Sequence, residues 1–167
     1  QRLKFVLHAG YGSVPVLTPD GLDRPLDPGA WSDPDDGELS GRFGSGVVIV
    51  ADDTVCAVDT ALQVARSFAD TACAKCLPCR EQSSWAAEAL ARLEAGDSDA
   101  DELELLRARS ARLRAPLAMC GHGPLGAAAV GALQAEFEAE FEAHLEGVCP
   151  IAKDLSLKSP ESIHVRF

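Results

Sequence analysis

With 167 residues, the chain is long enough for one full domain or two small ones and too short for a large multidomain enzyme. Apolar residues make up 47% and charged residues 25%, which supports a buried core and excludes a disordered tail. Against 26 Asp and Glu stand 15 Lys and Arg, and the net charge of −11 is the wrong sign for a nucleic-acid backbone or an anionic membrane surface.

The N-terminal third reads as β structure broken by turns. Leu3 to Leu7 and Val14 to Leu17 are short apolar runs, and Pro19-Asp20-Gly21, Pro25 and Pro28-Gly29 punctuate a loop. After the acidic stretch Asp33 to Glu38, the β-branched run Gly46 to Val50 predicts a strand buried on both faces. The period then changes to helical. Thr54 is placed to cap a first helix with Val55, Val58, Leu62, Ala65 and Phe68 on one face, ending before Cys73. A second helix starts at Pro78 or Cys79, turns Trp85, Ala89, Leu90 and Leu93 inward, and ends at Gly96. A third follows Ser98, with acidic residues in its first turn, and carries Leu103, Leu106 and Leu113 toward Pro116. A fourth, after Pro124, has an inward stripe of Val130, Leu133, Phe137, Phe141 and Leu145 and closes at Gly147. The expected class is α+β: a small sheet domain over residues 1–52, a four-helix bundle over 53–147 and a tail over 148–167. The longest apolar stretch, Ala127 to Leu133 with its flanks, is far below the roughly 20 residues that a membrane-spanning helix needs.

Six cysteines stand at positions 56, 73, 76, 79, 120 and 149. Cys73, Cys76 and Cys79 form Cys-x2-Cys-x2-Cys, a spacing that turns successive thiolates toward a common point and suits three corners of a cubane cluster in a reducing compartment. Cys120 is the best fourth ligand, because it precedes the fourth helix much as Cys79 opens the second, so two helix N-termini would face the thiolates. Zinc and disulfides are the competing readings: structural zinc more often takes two separated cysteine pairs, and cysteines this close in sequence pair poorly with one another. Cys56 reads as a small buried apolar residue, and Cys149 lies past the bundle. His122 reads as an exposed loop histidine, and His8 and His144 as packing or surface residues. Gly121-His-Gly-Pro-Leu-Gly126 spells G-x-G-x-x-G but follows no strand and contains Pro124, so it reads as a loop around Cys120, not a dinucleotide site.

Three stretches together carry a family resemblance: Gly44 to Cys56, then Cys73-Ala-Lys-Cys-Leu-Pro-Cys-Arg-Glu81, then Met119-Cys120-Gly121. They resemble the C-terminal half of the NADH-binding flavoprotein subunit of respiratory complex I and its relatives in NAD-reducing hydrogenases and formate dehydrogenases. The N-terminal part is similar to that family's soluble-ligand-binding β-grasp, ubiquitin-like domain through Gly12 to Leu17 and Leu22 to Asp27. The resemblance implies that Cys73, Cys76, Cys79 and Cys120 ligate a 4Fe-4S cluster, with Lys75 and Arg80 offsetting its negative charge. FMN and NAD enter only through a Gly-rich domain that precedes the β-grasp domain in the family, so they are expected on an adjoining domain or subunit outside this chain. Gln1, not Met, opens the chain, as expected of a processed product or a piece of a longer protein.

The implied function is an electron-transfer module of an NADH:quinone oxidoreductase-like complex, passing electrons from NADH-reduced FMN to other iron-sulfur centres and not catalytic alone. Its partners would be the flavin- and NADH-binding part and a further iron-sulfur protein, with no nucleic acid and no membrane insertion. Its expected place is the cytoplasm, including the peripheral part of a membrane-bound complex. The alternative is an interaction or assembly module in which the cluster only holds the bundle together.

Overall fold

A computed structural model describes residues 2–9, 16–23, 47–113 and 120–151. The loop from Pro25 through the acidic stretch to Gly46, the segment containing Pro116 and Met119, and the tail beyond Ile151 lie outside the described residues. The elements are strands β1 (Leu3–Ala9), β2 (Val16–Leu17) and β3 (Val47–Asp52), then helices α1 (Ala57–Asp70), α2 (Leu77–Ala95), α3 (Ala100–Leu113), α4 (His122–Glu136) and α5 (Glu138–Leu145). The chain is therefore α+β, with the sheet residues preceding the helical ones.

The described strands form an antiparallel sheet in the order β2-β1-β3, with Phe5 opposite Ala51 and Leu7 opposite both Ile49 and Val16. Period-two alternation turns Phe5, Leu7 and Ala51 toward the helices, where they are buried, and leaves Val48 and Val50 exposed at 51% and 67%. The expectation of a strand buried on both faces is corrected: only one face of β3 is covered, and an unbroken apolar run does not reveal this.

Thr54 is not the cap of α1. Its amide and hydroxyl both donate to Asp52 Oδ1, at 2.9 and 2.5 Å, closing a tight turn after β3 and holding the Asp52 carboxyl below its usual range. The helix starts three residues later at Ala57, and the Ala57 amide donates to Glu140 Oε2 at 3.0 Å. The same carboxylate pairs with Lys4 at 2.5 Å, and Lys4 donates to the Val55 carbonyl at 2.7 Å. One glutamate on α5 thus satisfies an orphan N–H of α1 and anchors β1.

Helix α2 ends as expected, on Gly96 in the left-handed region at φ 73°, where the amides of Gly96 and Asp97 bond back to Leu93 and Arg92. Asp99 caps α3 by accepting from the Glu102 amide at 2.8 Å. The fourth predicted helix is two helices. The chain breaks at Phe137 (φ −118°, ψ 37°), which places its ring 5.3 Å from that of Phe5 and carries Glu140 to Lys4 and Ala57. Gly147, at φ 71°, then closes α5. Helix α1 packs on α2 and α4, and α3 on α4, so the four longer helices form the bundle.

Phe5, Leu7, Val16 and Ala51 from the sheet belong to the same buried cluster as Val58, Leu90, Leu133 and Phe141 from the helices. Cys149 is also in that cluster at 1% exposure, because the turn at Gly147 sends the chain back into the bundle; the reading that put it past the bundle is corrected. His144 is fully buried beside it, and its Nε2 lies 3.3 Å from a Glu94 carboxylate oxygen. Desolvation pulls this imidazole toward neutrality. Contacts with Cys56, Glu94 and the Glu140 carbonyl outweigh that and raise its pKa to about 10, so the ring is charged opposite Glu94.

The helix junctions make this packing measurable at two places. Glu102 is held below the usual carboxylate range chiefly by its hydrogen bonds from Arg92, which bridge the end of α2 to the start of α3. A depressed folded-state pKa contributes stability that is complete above the unfolded value of about 4.3 and is lost as pH falls through the lower folded value. Glu102→Gln should therefore lower the unfolding free energy by about 1 kcal/mol at neutral pH in urea titrations, a gap that closes below about pH 4. A Cβ on Gly126 would lie 2.6 Å from Cγ and 3.0 Å from Cβ of Phe68, atoms too near the backbone to swing aside. Gly126→Ala should accordingly destabilise the fold by about 1–3 kcal/mol of overpacking, against a helix-propensity gain of about 1 kcal/mol; a more stable variant would refute the tight α1–α4 contact.

Candidate metal centre

Cys73 follows the end of α1, and the backbone turns at Ala74, whose φ of 58° makes it the only non-glycine in the left-handed region among the described residues. That conformation costs an alanine roughly 1–2 kcal/mol. Three residues after Cys73, Cys76 is the N-cap of α2, and its carbonyl accepts from the Arg80 amide at 3.0 Å. Cys79 lies in the first turn of α2. Cys120 immediately precedes Gly121, the N-cap of α4. Cys76 and Cys79 are buried, Cys73 and Cys120 exposed, so the group sits at the boundary between the core and solvent.

The electrostatics of Cys79 couple it to the other three. Burial pushes its thiol pKa up, a hydrogen bond with Ser83 pulls the other way, and charge on Cys120, Cys76 and Cys73 raises it further. Each of the other three is thus within electrostatic reach of this one sulfur. Neither α2 nor α4 has a side-chain cap on its N-terminal amides among the described residues. The positive ends of two helices are therefore offered to the thiolates.

The closest approach is made by glycine. A Cβ on Gly123 would stand 2.9 Å from Cys79 Sγ and 3.2 Å from Cys79 Cβ. Only a residue without a side chain lets the first turn of α4 lie against that sulfur. His122 fastens the junction. Its Nε2 is 2.9 Å from the Phe68 carbonyl near the end of α1, and its ring packs on Phe68 at 4.8 Å.

The sequence reading of Gly121–Gly126 as a loop is corrected, because His122 onward is helical and Pro124 falls in the first turn, where its missing N–H costs nothing. His122 is likewise not a free loop residue. Ser83 and Gly123 were missed, although Ser83 follows Cys79 by one helical turn and Gly123 follows Cys120 by three residues. Lys75 and Arg80 are exposed beside the group, and Arg80 is paired with Glu81 at 3.3 Å.

The donor set fits a thiolate-bound cluster: four cysteines outside any disulfide, two helix N-termini beside them without side-chain caps, and a glycine cradle that a Cβ would fill. The family model described as the NADH-ubiquinone oxidoreductase-F iron-sulfur binding region matches residues 59–144, just over half of the chain. An NADH-quinone oxidoreductase F subunit of Rhizobium meliloti (strain 1021) is 33% identical over 146 residues, which cover 87% of this chain and 33% of that protein. The corresponding F subunit of Streptomyces coelicolor is 29% identical over 150 residues, 89% of this chain and 32% of that one. An NAD+-reducing NiFe hydrogenase in its air-oxidised state superposes with a TM-score of 0.70 at 27% identity, over 93% of this chain and 26% of the hydrogenase chain. The chain spans about a third of the length of the curated relatives it matches. With the cysteines and cradle described above, these matches make its cofactor a 4Fe-4S cluster, and the chain belongs to the NADH-ubiquinone oxidoreductase-F iron-sulfur binding family.

Proposed function

We propose that this chain is the electron-relay part of an NADH-oxidising complex and that Cys73, Cys76, Cys79 and Cys120 are the ligands of its cluster. The observation that carries the proposal is the convergence on Cys79 of charge from the other three cysteines, in a chain that matches the family over its helices. When bound, a 4Fe-4S cluster accepts and returns one electron at a time. The polypeptide supplies the setting. The buried pair Cys76 and Cys79 ties the site to the core, and the exposed pair Cys73 and Cys120 leaves it open to a partner's cofactor. The two helix N-termini, with Lys75 nearby, oppose the negative charge added on reduction. Ser83, hydrogen-bonded to Cys79, is placed to tune that sulfur.

In this reading electrons arrive from NADH-reduced FMN on an adjoining domain or subunit and leave to a further iron-sulfur protein. The names of the relatives and the hydrogenase likeness support that assignment. No helix among the described residues is long and apolar enough to cross a membrane, which suits a peripheral position in such a complex. Residues 1–52 are assigned to a β-grasp-type domain and 53–147 to the cluster-holding bundle, with a tail over 148–167.

Anaerobically purified protein should contain about four iron and four sulfide per chain, and dithionite should produce a reversible paramagnetic signal of a reduced four-iron cluster. Cys120→Ser should remove at least half of the iron, and Cys56→Ser should leave it in place. Equal iron loss in the two variants would refute the ligand set, and a cluster destroyed by its first reduction would favour the assembly-module reading over the relay. Gly123→Ala should lower iron occupancy with the helical circular dichroism retained, because the added methyl must displace Cys79 Sγ or the start of α4. Full occupancy in that variant would show that the glycine is not part of the cradle.

A further inference from the structure

A second group of metal-binding side chains lies in the core, away from the four cysteines. Cys56 is the N-cap of α1, His144 stands in the last turn of α5, and Cys149 follows the turn at Gly147. All three are buried, and their donor atoms lie within 4.8 Å of one another. Glu94, near the C-terminus of α2, completes the group.

The separations match a tetrahedral zinc site. Bonds of about 2.3 Å to sulfur and about 2.05 Å to nitrogen or oxygen, at tetrahedral angles, imply edges of about 3.6 Å from nitrogen to sulfur and about 3.3 Å from nitrogen to oxygen. His144 Nε2 lies 3.6 Å from Cys56 Sγ and 3.3 Å from a Glu94 carboxylate oxygen, and that oxygen lies 4.0 Å from Cys56 Sγ. The imidazole is also oriented as a ligand requires. Its Nδ1–H donates to the Glu140 carbonyl at 2.7 Å, which fixes the ring and leaves Nε2 facing the two thiols and the carboxylate.

We propose that Cys56, His144 and Cys149 bind zinc, with Glu94 in the fourth position. Two thiolates, an imidazole and a carboxylate in tetrahedral array form a closed structural site, with no position left open for a substrate. Metal entry expels the protons of the two thiols and of Nε2 to solvent, and the divalent cation takes their place beside Glu94. The bond set joins the start of α1, the end of α2, the end of α5 and the segment after it, so zinc would staple residues 56 and 149 across the bundle. The site is independent of the cluster-binding cysteines and of the redox role proposed above.

Elemental analysis of the cluster-loaded protein, equilibrated with zinc and then freed of excess metal by gel filtration, should give one zinc per chain in addition to iron. Cys149→Ser should lose the zinc and keep the iron. Cobalt(II) offered to the wild-type chain should produce the intense near-ultraviolet thiolate-to-metal band and the visible bands of tetrahedral cobalt, a readout that does not depend on any variant folding. Zinc should also raise the melting temperature of the wild-type protein and leave that of Cys149→Ser unchanged. A wild-type chain that takes up neither zinc nor cobalt, a Cys56–Cys149 disulfide in the reduced-handled protein, or zinc retained by Cys149→Ser would each overturn the proposal.

Discussion

How near helix α4 can come to its neighbours decides the geometry of the cysteine end. Gly123 puts the α4 backbone against the Cys79 sulfur, and Gly126, one turn on, puts it against Phe68 of α1. Side chains at these positions would hold α4 off both partners. Cys120 would then move away from the group to which Cys73, Cys76 and Cys79 are committed by their own short spacing. His122 adds a polar tie at the same contact, through the Phe68 carbonyl. A run that superficially spells a nucleotide-binding signature therefore does a packing job: its glycines are needed because a sulfur and an aromatic ring, not a phosphate, approach the backbone.

At the other end of the bundle the organising residue is Glu140. Its carboxylate caps α1 and pairs with Lys4 of β1, and it reaches both because the helical path is interrupted at Phe137. The same interruption brings the Phe137 ring to Phe5, with the Lys4 ammonium 5.2 Å from the centre of that ring. Sheet and helices are thereby joined by an apolar contact and a partly buried ion pair acting at one place. Removing one partner of such a pair costs more than the pair contributes, because the other charge is left partly desolvated.

The features legible in the sequence were those with local causes. Cys-x2-Cys-x2-Cys declares itself because all three thiols fall within seven consecutive residues, and Gly96 and Gly147 stop helices through their own backbone freedom. The misread features had distant causes. Nothing around Phe137 breaks the helical period, and the interruption comes from Phe5 and Lys4, more than 130 residues earlier. Thr54 does not cap α1 because the amide at the start of that helix is taken by Glu140, 83 positions on, while Thr54 itself turns back to Asp52. The exposure of Val48 and Val50 depends on which sheet face the helices cover, and an unbroken apolar run does not encode that choice. Cys56, His144 and Cys149 share no recognisable spacing, so only the folded chain shows them together.

The reach of Glu140 also bears on the order in which the chain acquires its structure during synthesis. The amide that it caps belongs to Ala57, 83 positions upstream, and β1 waits for Lys4 to find the same carboxylate. Most of α1 through α4 will have left the ribosome before the residue that locks the first helix and first strand emerges. Closure over so long a loop is slow, because chain entropy is lost before contacts compensate for it. Cys73, Cys76 and Cys79 also emerge well ahead of Cys120, which follows Cys79 by 41 positions. On the ligand set proposed above, the nascent chain would therefore present three thiols to solvent before the fourth is synthesised.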